Sequence, residues 1–581
     1  MPGFTVTNYK RSISLKSYKR QIKEVIDNNK YYIERRTINK FLDDKIFQET
    51  DEYIFIIEGI ILNKLNLMCE YHTTNYIQLL KNLILKKGET FFNDFRGSFS
   101  GAVYDKINDV WTIFNDHLGD KPVFYFYDKQ FIVSSSINDI VNTLVENNIE
   151  FELNNTAVYD MLTYGYMANN KGTETYIKNV FRLEPGSYIK ISNNKFRKKQ
   201  YYRFTNSKNI LFDKSEEEII DMLDLKFRSA VKLQFEKDKE YGYKHICELS
   251  GGLDSRMTTW VAKEMGYNNI VSICFSKSDY LDETISKKIA NDLKIEYLFK
   301  SLDDGNFLRL LDEVVFENYG LSIYSGTAHE KSMIDYINFE SLGILHSGQL
   351  GDANLGGSLG TDNNLAKISR PMGLYSKILS DKIVINEDEF ENVEMYLMYI
   401  RGFSGALCSQ ISSCNYTENM SPFTDVDFFE YCMRIPYSLR KNHYIYKKWI
   451  LKKYPSAADY IWEKTGCKLN DGNIKQFIIK IKKLGITNTV RYFCKNYLGF
   501  KKMEMRASNK DMNPYDYWYI NDEKIHNYIN SRFSKMIENK HLTPELKSDI
   551  KKVFNEGGAE EKTLVLTALK AINLFFNEGG E

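Results

Sequence analysis

Short apolar runs separated by turns fill the first 200 residues of the chain. Four of them have the length of a strand, at 99–104, 110–115, 123–127 and 131–135. A fifth run, 53–62, is almost entirely apolar, which is typical of a buried strand. A Pro-Gly turn within 183–192 leads into a further strand. The pattern predicts an antiparallel, sheet-based domain with some helices.

The pattern changes after residue 213. The segment 213–235 has helical spacing of its apolar residues, and strand-like and helix-like segments then alternate. The predicted strands lie at 244–250, 270–276 and 295–299, and the predicted helices at 257–266 and 281–294. This alternation is typical of a parallel, doubly wound sheet with helices on its faces. From about Ser325 onward we expect mainly helices.

Length and composition narrow the class of protein. A chain of 581 residues is too long for one hydrophobic core, so two or three domains are expected. A net charge of +1 argues against a general nucleic-acid or membrane partner, and no apolar stretch has the length of a membrane span or the pattern of a secretory signal. The eight cysteines form no CxxC pair, so neither a zinc site nor a disulfide framework is indicated. We expect buried thiols in a reducing cytoplasm.

The stretch ELSGGLDSRM joins the first predicted strand of the second region to its helix. Ser250, Gly251 and Gly252 form a turn of small residues whose backbone N–H groups can face an anion, and the helix N-terminus adds partial positive charge. Asp254 alone would repel phosphate, but it suits a site that also holds Mg²⁺. In a plainer alternative, Asp254 and Ser255 only cap the helix. Neither a GxGxxG loop nor a Walker-type loop is present.

This stretch resembles the pyrophosphate loop of the ATP-pyrophosphatase superfamily, whose members cleave ATP to AMP and pyrophosphate. Further motifs follow one another in the order of the asparagine synthetase family. They are FRGSFSGAVYD with FNDHLGDKPVFYFY and FIVSSSI, then LEPGSYIKI, SGGLDS, HSGQLGD, SPFTDVDFFEYCMRIP, KKWILKKYP and WEKTGCKL. The chain is therefore similar to this family (class B type), which includes β-lactam synthetase-like and lasso-peptide cyclase-like enzymes.

The resemblance implies an α/β protein with two domains. Residues 1–205 would form a glutaminase-like domain, an αββα sandwich of the Ntn-hydrolase type. Residues 210–581 would form the synthetase domain, a doubly wound parallel sheet with many helices. The resemblance further implies ATP and Mg²⁺ as cofactors, a small-molecule or peptide carboxylate and an amine as substrates, and a homodimer, with no nucleic-acid or membrane partner.

The resemblance also assigns roles to individual residues. The ATP phosphates would bind Ser250, Gly251, Gly252, Asp254 and Ser255, with Leu249, Ser276 and Gly348 flanking the nucleotide. Asp254 and Asp352 would bind magnesium. Lys464 would stabilise charge on the reacting phosphate and the acyl-adenylate. Lys448 matches a second basic residue near the phosphates, with a solvated surface lysine as an equally weighted alternative.

Three positions depart from the family pattern. Glutamine-using members carry a cysteine at the position of Pro2, and proline has no thiol to form the thioester that glutamine hydrolysis needs. Cys69, the nearest cysteine in sequence, is far from any free amine, so we expect an N-terminal domain without glutaminase activity. Gln349 replaces an acidic residue or tyrosine that helps deprotonate the amine. Trp462 stands where arginine is common, which indicates a changed substrate surface.

Several alternatives remain open at this point. Tyr324, His329 and Glu394 are unranked candidates for the missing base, although His329 is more often structural. The first hypothesis for the whole chain is an amide-forming ligase that uses its own amine or ammonia. The second, which Gln349 favours, is a non-catalytic scaffold or partner subunit. The third, a tRNA-modifying thiolase or a GMP synthetase-like enzyme, is disfavoured by the near-neutral charge and the absence of CxxC.

Overall fold

The computed structural model describes residues 1–11, 21–193, 195–356, 365–386, 388–472 and 509–576. Seven cysteines lie in these ranges; all seven are free thiols, and only Cys69 among them is exposed. Cys494 lies outside the described residues. The described helices include none with both the length and the apolar character to cross a membrane.

Two antiparallel sheets of six strands form the N-terminal region. Their strands are β1 (Gly3–Thr7), β2 (Gln21–Asp27), β3 (Tyr32–Ile38), β4 (Ile46–Glu49), β5 (Tyr53–Ile61), β6 (Gly97–Asp105), β7 (Val110–Asn115), β8 (Phe124–Tyr127), β9 (Phe131–Ser134), β10 (Val180–Arg182), β11 (Ser187–Ser192) and β12 (Lys195–Gln200). One sheet has the order β10-β8-β9-β1-β3-β2 and the other β12-β11-β7-β6-β5-β4. The predicted runs correspond to β5 through β9 and to β11.

Strand β5 shows why its sequence is apolar throughout. Ile54 and Ile56 pack between the two sheets, whereas Phe55 and Ile57 pack on the outer side against the helices Lys64–Glu70 and Tyr76–Lys87. Successive residues of a strand point to opposite faces, and here both faces are covered. The outer face of the other sheet is covered by Ile137–Glu146 and Asn155–Tyr164 through a separate core. The predicted αββα sandwich is confirmed.

A five-stranded parallel sheet forms the core of the C-terminal region. Its order is β15-β14-β13-β16-β17, and its strands are β13 (Lys244–Glu248), β14 (Ile270–Ser276), β15 (Glu296–Ser301), β16 (Leu342–His346) and β17 (Asn419–Met420). The doubly wound parallel sheet is thus confirmed. The expectation of mainly helices after Ser325 missed β16 and β17, because a buried run of five residues is too short for periodicity to distinguish a strand from a helix.

Helices surround the parallel sheet and continue to the C-terminal end of the described chain. The longer ones are Glu216–Glu240, Asp254–Glu264, Leu281–Leu293, Leu311–Asn318, Tyr324–Ile334, Val426–Arg434, Tyr444–Lys453, Tyr515–Asn521, Glu523–Met536, Pro544–Glu556 and Ala559–Phe576. Short helices lie at Asn169–Gly172, Gly351–Asn354, Val393–Leu397, Leu407–Ser409, Tyr437–Arg440 and Pro455–Ala458, and a π-helix at Met398–Ala406. A capping box of Ser215 and Glu218 begins helix Glu216–Glu240.

A buried ionic network joins the two regions. The Lys45 ammonium lies 3.0 Å from Glu58 and 3.2 Å from Glu418, and the Lys121 ammonium lies 2.6 Å from the second oxygen of Glu418. All four side chains are at most 3% exposed. Glu418 belongs to the C-terminal region, whereas the other three belong to the N-terminal sandwich. Because buried charges are stable only when paired, this carboxylate holds the two regions together.

A second buried set of charges lies beside Pro2. Strand β1 pairs with β3 so that Gly3 lies opposite Arg36. Arg36 contacts Glu34 at 2.6 Å and Asp139 at 3.1 Å, and Arg11 contacts Asp139 at 2.9 Å. Every charge of this cluster therefore has a partner within the sandwich.

Candidate active site

The loop after β13 folds back onto the first turn of the next helix. The Ser250 hydroxyl lies 2.9 Å from the Ser255 hydroxyl, which also accepts the Ser250 N–H at 3.0 Å. The Gly252 N–H donates to the Ser250 hydroxyl at 3.2 Å, and the Gly251 N–H donates to Asp282 Oδ1 at 2.8 Å. The loop lies at the carboxyl end of the parallel sheet, where open α/β sheets bind ligands.

Two glycines let the HSGQLGD segment reach this loop. A Cβ on Gly348 would lie 2.3 Å from the backbone nitrogen of Ser255, and a Cβ on Gly351 would lie 2.6 Å from Cγ of Asp254. Only a residue without a side chain permits so close an approach. The Asp352 N–H consequently donates to Asp254 Oδ2 at 2.9 Å. The two residues predicted to bind magnesium are therefore neighbours.

The electrostatics of Asp254 favour a cation beside it. Burial, followed by the charge of Asp352, raises the pKa of Asp254 to about 7, although the Tyr446 hydroxyl and the charge of Lys464 act in the opposite direction. That hydroxyl donates to Asp254 Oδ1 at 2.7 Å. Asp254, which is costly to ionise, and the neighbouring carboxylate of Asp352 supply the hard oxygen ligands that Mg²⁺ prefers. The residues present therefore fit the implied metal.

Lys464 lies at the same site. Its ammonium is 5.7 Å from the centre of the Trp462 ring, and its charge acts on Asp254. Lys447 lies over the same ring at 5.5 Å, and burial and then the charge of Lys464 lower its pKa. Two ammonium groups that repel each other over one ring are suited to an anion such as phosphate.

Arg256 holds the Lys464 segment against the loop. Its buried guanidinium donates to the carbonyls of Gly251 at 2.9 Å, Ala457 at 3.1 Å and Ile461 at 2.7 Å. The Glu463 N–H donates in turn to the Gly251 carbonyl at 3.2 Å. The cation and the loop are thereby fixed relative to each other, although they are distant in sequence.

These residues surround a cavity of about 300 Å³. The predicted residues in its wall are Ser250, Gly252, Asp254, Ser255, Gly348, Asp352 and Lys464. Others in its wall are Glu248, Leu253, Gln349, His443, Tyr446, Trp462 and Glu463. Leu249, Gly251 and Ser276 do not belong to the wall; Leu249 and Ser276 are buried. A larger groove of about 570 Å³ begins near His245, at the other end of β13, and contains none of the predicted residues.

Lys448 lies away from this cavity. Its ammonium pairs with Glu216 and lies 4.6 Å from the centre of the Tyr444 ring, and its side chain is 43% exposed. Helix Tyr444–Lys453 directs Lys447 rather than Lys448 toward Trp462. Of the two alternatives for Lys448, the structure therefore favours a solvated surface lysine over a basic residue near the phosphates.

The three candidate bases do not belong to the cavity wall either. The Tyr324 hydroxyl donates to the Leu308 carbonyl at 2.9 Å and is buried. Burial lowers the pKa of His329 to about 4, and its ring stacks on Phe275 at 5.2 Å. Glu394 is held in a buried ion pair by Arg440. Each has a structural role in the described chain.

The sequence reasoning missed four residues of the site: Glu248, Arg256, Tyr446 and Lys447. Glu248 and Arg256 flank the core of the loop motif in ELSGGLDSRM, so their position beside the motif could have identified them as site residues. Tyr446 directly precedes KKWIL and Lys447 is its first residue, and no local pattern distinguishes which side of that helix faces the cavity. Their roles depend on tertiary packing.

Two family models match the chain. The model described as a glutamine amidotransferase domain matches residues 43–202, and the model described as asparagine synthase matches residues 222–383. Pro2 precedes the first match and Lys464 follows the second, so neither residue is covered.

Curated proteins match over longer stretches. The chain is 25% identical over 374 residues to "putative asparagine synthetase (glutamine-hydrolyzing) 2" of Methanocaldococcus jannaschii, covering 61% of this chain and 70% of that protein. It is 26% identical over 231 residues to asparagine synthetase (glutamine-hydrolyzing) 2 of Bacillus subtilis, covering 37% of this chain and 30% of that protein. The solved structure of the B. subtilis glutamine phosphoribosylpyrophosphate amidotransferase with ADP and GMP overlaps 47% of this chain and 77% of its own at 10% identity, with a TM-score of 0.21, too low to inform on the fold.

Proposed function

Because the chain belongs to the asparagine synthetase family, we propose that it is an ATP-dependent ligase that adenylates a carboxylate and joins it to an amine without hydrolysing glutamine. The observation that carries the proposal is the single cavity shared by Asp254, Asp352 and Lys464 at the carboxyl end of the sheet. Folding alone does not require two acids and a lysine from three separate segments to meet in one cavity.

In the first step, the substrate carboxylate attacks the α-phosphate of ATP and pyrophosphate leaves. Asp254 and Asp352 would hold Mg²⁺, which supplies positive charge to the phosphate oxygens. The helix N-terminus that follows the loop binds the phosphates, and Lys464 stabilises the charge that develops on them. In the second step, an amine attacks the acyl carbon and AMP leaves. The chain contributes position and electrostatics rather than a covalent intermediate.

The absence of glutamine hydrolysis is supported by the surroundings of Pro2. Pro2 is buried beside the cluster of Arg36, Glu34 and Asp139, whose charges are paired among themselves. Cys69, the one exposed thiol of the described residues, lies at the end of helix Lys64–Glu70 in the outer layer of the sandwich. We expect a reducing compartment, since all the described cysteines are free thiols.

The test is pyrophosphate and AMP release by the purified full chain with ATP and Mg²⁺ over a panel of carboxylates, each with ammonium chloride or a panel of primary amines. We expect one combination to release pyrophosphate, and glutamine in place of the amine to release no glutamate. ATP binding without pyrophosphate release from any combination would instead favour the second candidate, a non-catalytic scaffold, which Gln349 in the cavity wall supports.

A further inference from the structure

Two residues in the left-handed region of backbone conformation directly precede helix Tyr444–Lys453. Asn442 has a φ of 56° and His443 a φ of 58°. Residues with side chains seldom adopt this conformation, and such positions are concentrated at functional sites. His443 lies in the wall of the cavity of about 300 Å³ described above, which we call the nucleotide cavity. The strained turn thus delivers an imidazole to the candidate site.

The imidazole of His443 is buried without a polar partner. Only 5% of the residue is exposed, and its Nε2 has no hydrogen-bond partner among the described residues. Its ring meets the Trp462 ring edge-on, with 5.3 Å between the ring centres. Buried polar groups are normally hydrogen-bonded. We therefore expect the missing partner to be a molecule that enters the cavity.

Two ammonium groups lie around the same Trp462 ring. Lys447 lies 5.5 Å and Lys464 5.7 Å from its centre. Burial, followed by the charges of Lys464 and Lys447, lowers the pKa of His443 to about 4, and no carboxylate of the described ranges contributes to this change. This side of the cavity consequently attracts anions and repels ammonium ions. The carboxylates elsewhere in the wall are Glu248, Asp254, Asp352 and Glu463.

We propose that His443, beside Lys447 and Lys464, binds the outer phosphate groups of ATP, and pyrophosphate after cleavage, and that its imidazole takes up a proton as they bind. The proposal rests on the ligase function above and adds a proton-linked contact for the polyphosphate. In the free protein the imidazole is neutral at pH 7, because it is buried and its two neighbours are positively charged. The negative polyphosphate offsets the two ammonium groups, so the imidazolium becomes stable and donates a charged hydrogen bond to a phosphate oxygen.

The proton comes from the buffer and returns to it. Binding adds one proton to the imidazole nitrogen that carries the lone pair, and no bond between heavy atoms forms or breaks. When pyrophosphate departs, the repulsion by the two ammonium groups returns and the imidazolium loses its proton. Because the bound state holds the extra proton, release of pyrophosphate is favoured as the pH rises.

The first experiment measures the binding of inorganic pyrophosphate, with Mg²⁺, to the full chain by isothermal titration calorimetry. His443→Asn is the test variant, because asparagine tolerates the left-handed conformation and does not titrate. We expect it to bind about tenfold more weakly than the unmodified chain at pH 6 but within about twofold of it at pH 8, since the charged hydrogen bond exists only where the imidazole holds a proton.

Two further variants accompany this measurement. His443→Gln, whose neutral side chain is closer in size to histidine, should behave like His443→Asn. His541→Asn is the matched control, because the His541 Nε2 also lacks a partner in the described chain and His541 lies outside the cavity wall. This control should bind like the unmodified chain at both pH values. No pyrophosphate binding by the unmodified chain, no loss in the His443 variants, or an equal loss at both pH values would overturn the proposal.

The second experiment counts the protons. The heat of pyrophosphate binding at pH 6, measured in two buffers of different ionisation enthalpy, gives the number of protons taken up per site. The unmodified chain should take up about half a proton or more beyond His443→Asn. Asp254, whose pKa is about 7, would release a proton when Mg²⁺ binds, but it would do so in both proteins and cancels in the difference. Equal proton counts would overturn the proposal.

Both measurements are independent of turnover, so they separate this proposal from the ligase function. Proton-linked pyrophosphate binding, without pyrophosphate release from ATP in the presence of any carboxylate, would contradict the ligase function alone. Turnover with a carboxylate, together with pyrophosphate binding that His443→Asn leaves unchanged, would contradict the role of His443 alone.

Discussion

The charges buried near Pro2 and at the boundary between the two regions are paired with opposite charges of the same chain. The charges around the nucleotide cavity are paired less completely. In the sandwich, Asp139 lies between two arginines, and Glu58 contacts a lysine. Around the cavity, the charge of Asp352 opposes the ionisation of Asp254, and the charge of Lys464 offsets this effect only in part. Charges that are paired within the chain stabilise the fold and need no ligand. Acids whose ionisation is costly in the protein alone are expected where a substrate or metal supplies the missing charge.

The largest expected effect is at Lys464. Lys464→Ala should reduce pyrophosphate release by roughly 100- to 1000-fold, because the cation that stabilises the developing phosphate charge is lost. Lys452→Ala is the control, since Lys452 is a surface lysine that pairs with Glu217. Equal activity of the two variants would mean that the cavity does not use its lysine in catalysis.

Glu418→Gln tests whether the paired charges buried at the boundary between the two regions stabilise the fold. It leaves Lys121 and part of the charge of Lys45 buried without a carboxylate, so we expect a loss of about 3 kcal/mol in the free energy of unfolding, measured by urea denaturation at pH 7. Breaking the exposed Lys178–Glu152 pair by Lys178→Ala should change the free energy of unfolding far less, because solvent screens an exposed pair. A similarly small effect of both changes would show that the boundary network does not hold the regions together.

The loss of stability caused by Glu418→Gln is expected to depend on pH. Burial opposes the ionisation of Glu418, but Lys121 and Lys45 outweigh it and hold its pKa below its ordinary value. Its contribution to stability is therefore complete above the ordinary pKa of a glutamate and is lost as the pH falls through the lowered value. The difference in unfolding free energy between Glu418→Gln and the unmodified chain should shrink with acidification. A constant difference between pH 7 and pH 3 would contradict this pairing.

Tyr446→Phe should have a smaller effect. Without the hydroxyl that orients Asp254, the Mg²⁺ concentration for half-maximal pyrophosphate release should rise by about tenfold, the usual scale for a residue that orients a metal ligand. Tyr454→Phe serves as the control, because the Tyr454 hydroxyl donates to Asp224 at 2.6 Å outside the cavity. An unchanged Mg²⁺ requirement in Tyr446→Phe would argue that Asp254 is not a metal ligand.

Pro2→Cys should have the smallest effect of these changes, because we expect it to produce no glutamine hydrolysis. A thiol at this buried position would lie beside Arg36, whose charge is already paired with Glu34 and Asp139. The measurement is glutamate release from glutamine, compared with the unmodified chain. Release above that baseline would show that the sandwich retains a glutamine pocket.

Most of the fold could be predicted from the sequence, because its signals are local. The alternation in 244–299 specifies a parallel sheet, and the wholly apolar β5 indicates a strand covered on both faces. Strand β16 escaped prediction because its five residues, although buried, have no distinguishing period. Such a strand is defined by the neighbour with which it pairs rather than by its own sequence.

The site was predictable where a residue lies inside a contiguous motif and less so elsewhere. Asp254 and Asp352 were brought together as expected, because each belongs to a loop at a strand end. Lys448 and Lys447 are adjacent in sequence, and only the rotation of their helix decides that Lys447 faces Trp462.

The network at Glu418 also bears on the order in which the chain can fold during synthesis. Lys121 leaves the ribosome about 300 residues before Glu418, an interval of roughly 15–60 s at ordinary rates of elongation. During this time the sandwich has its strands but not the carboxylate that neutralises Lys121. In the nascent N-terminal half, Lys121 would therefore stay hydrated and the edge of the sandwich around it would stay loosely packed. This would last until β17, the last strand of the parallel sheet, emerges next to Glu418.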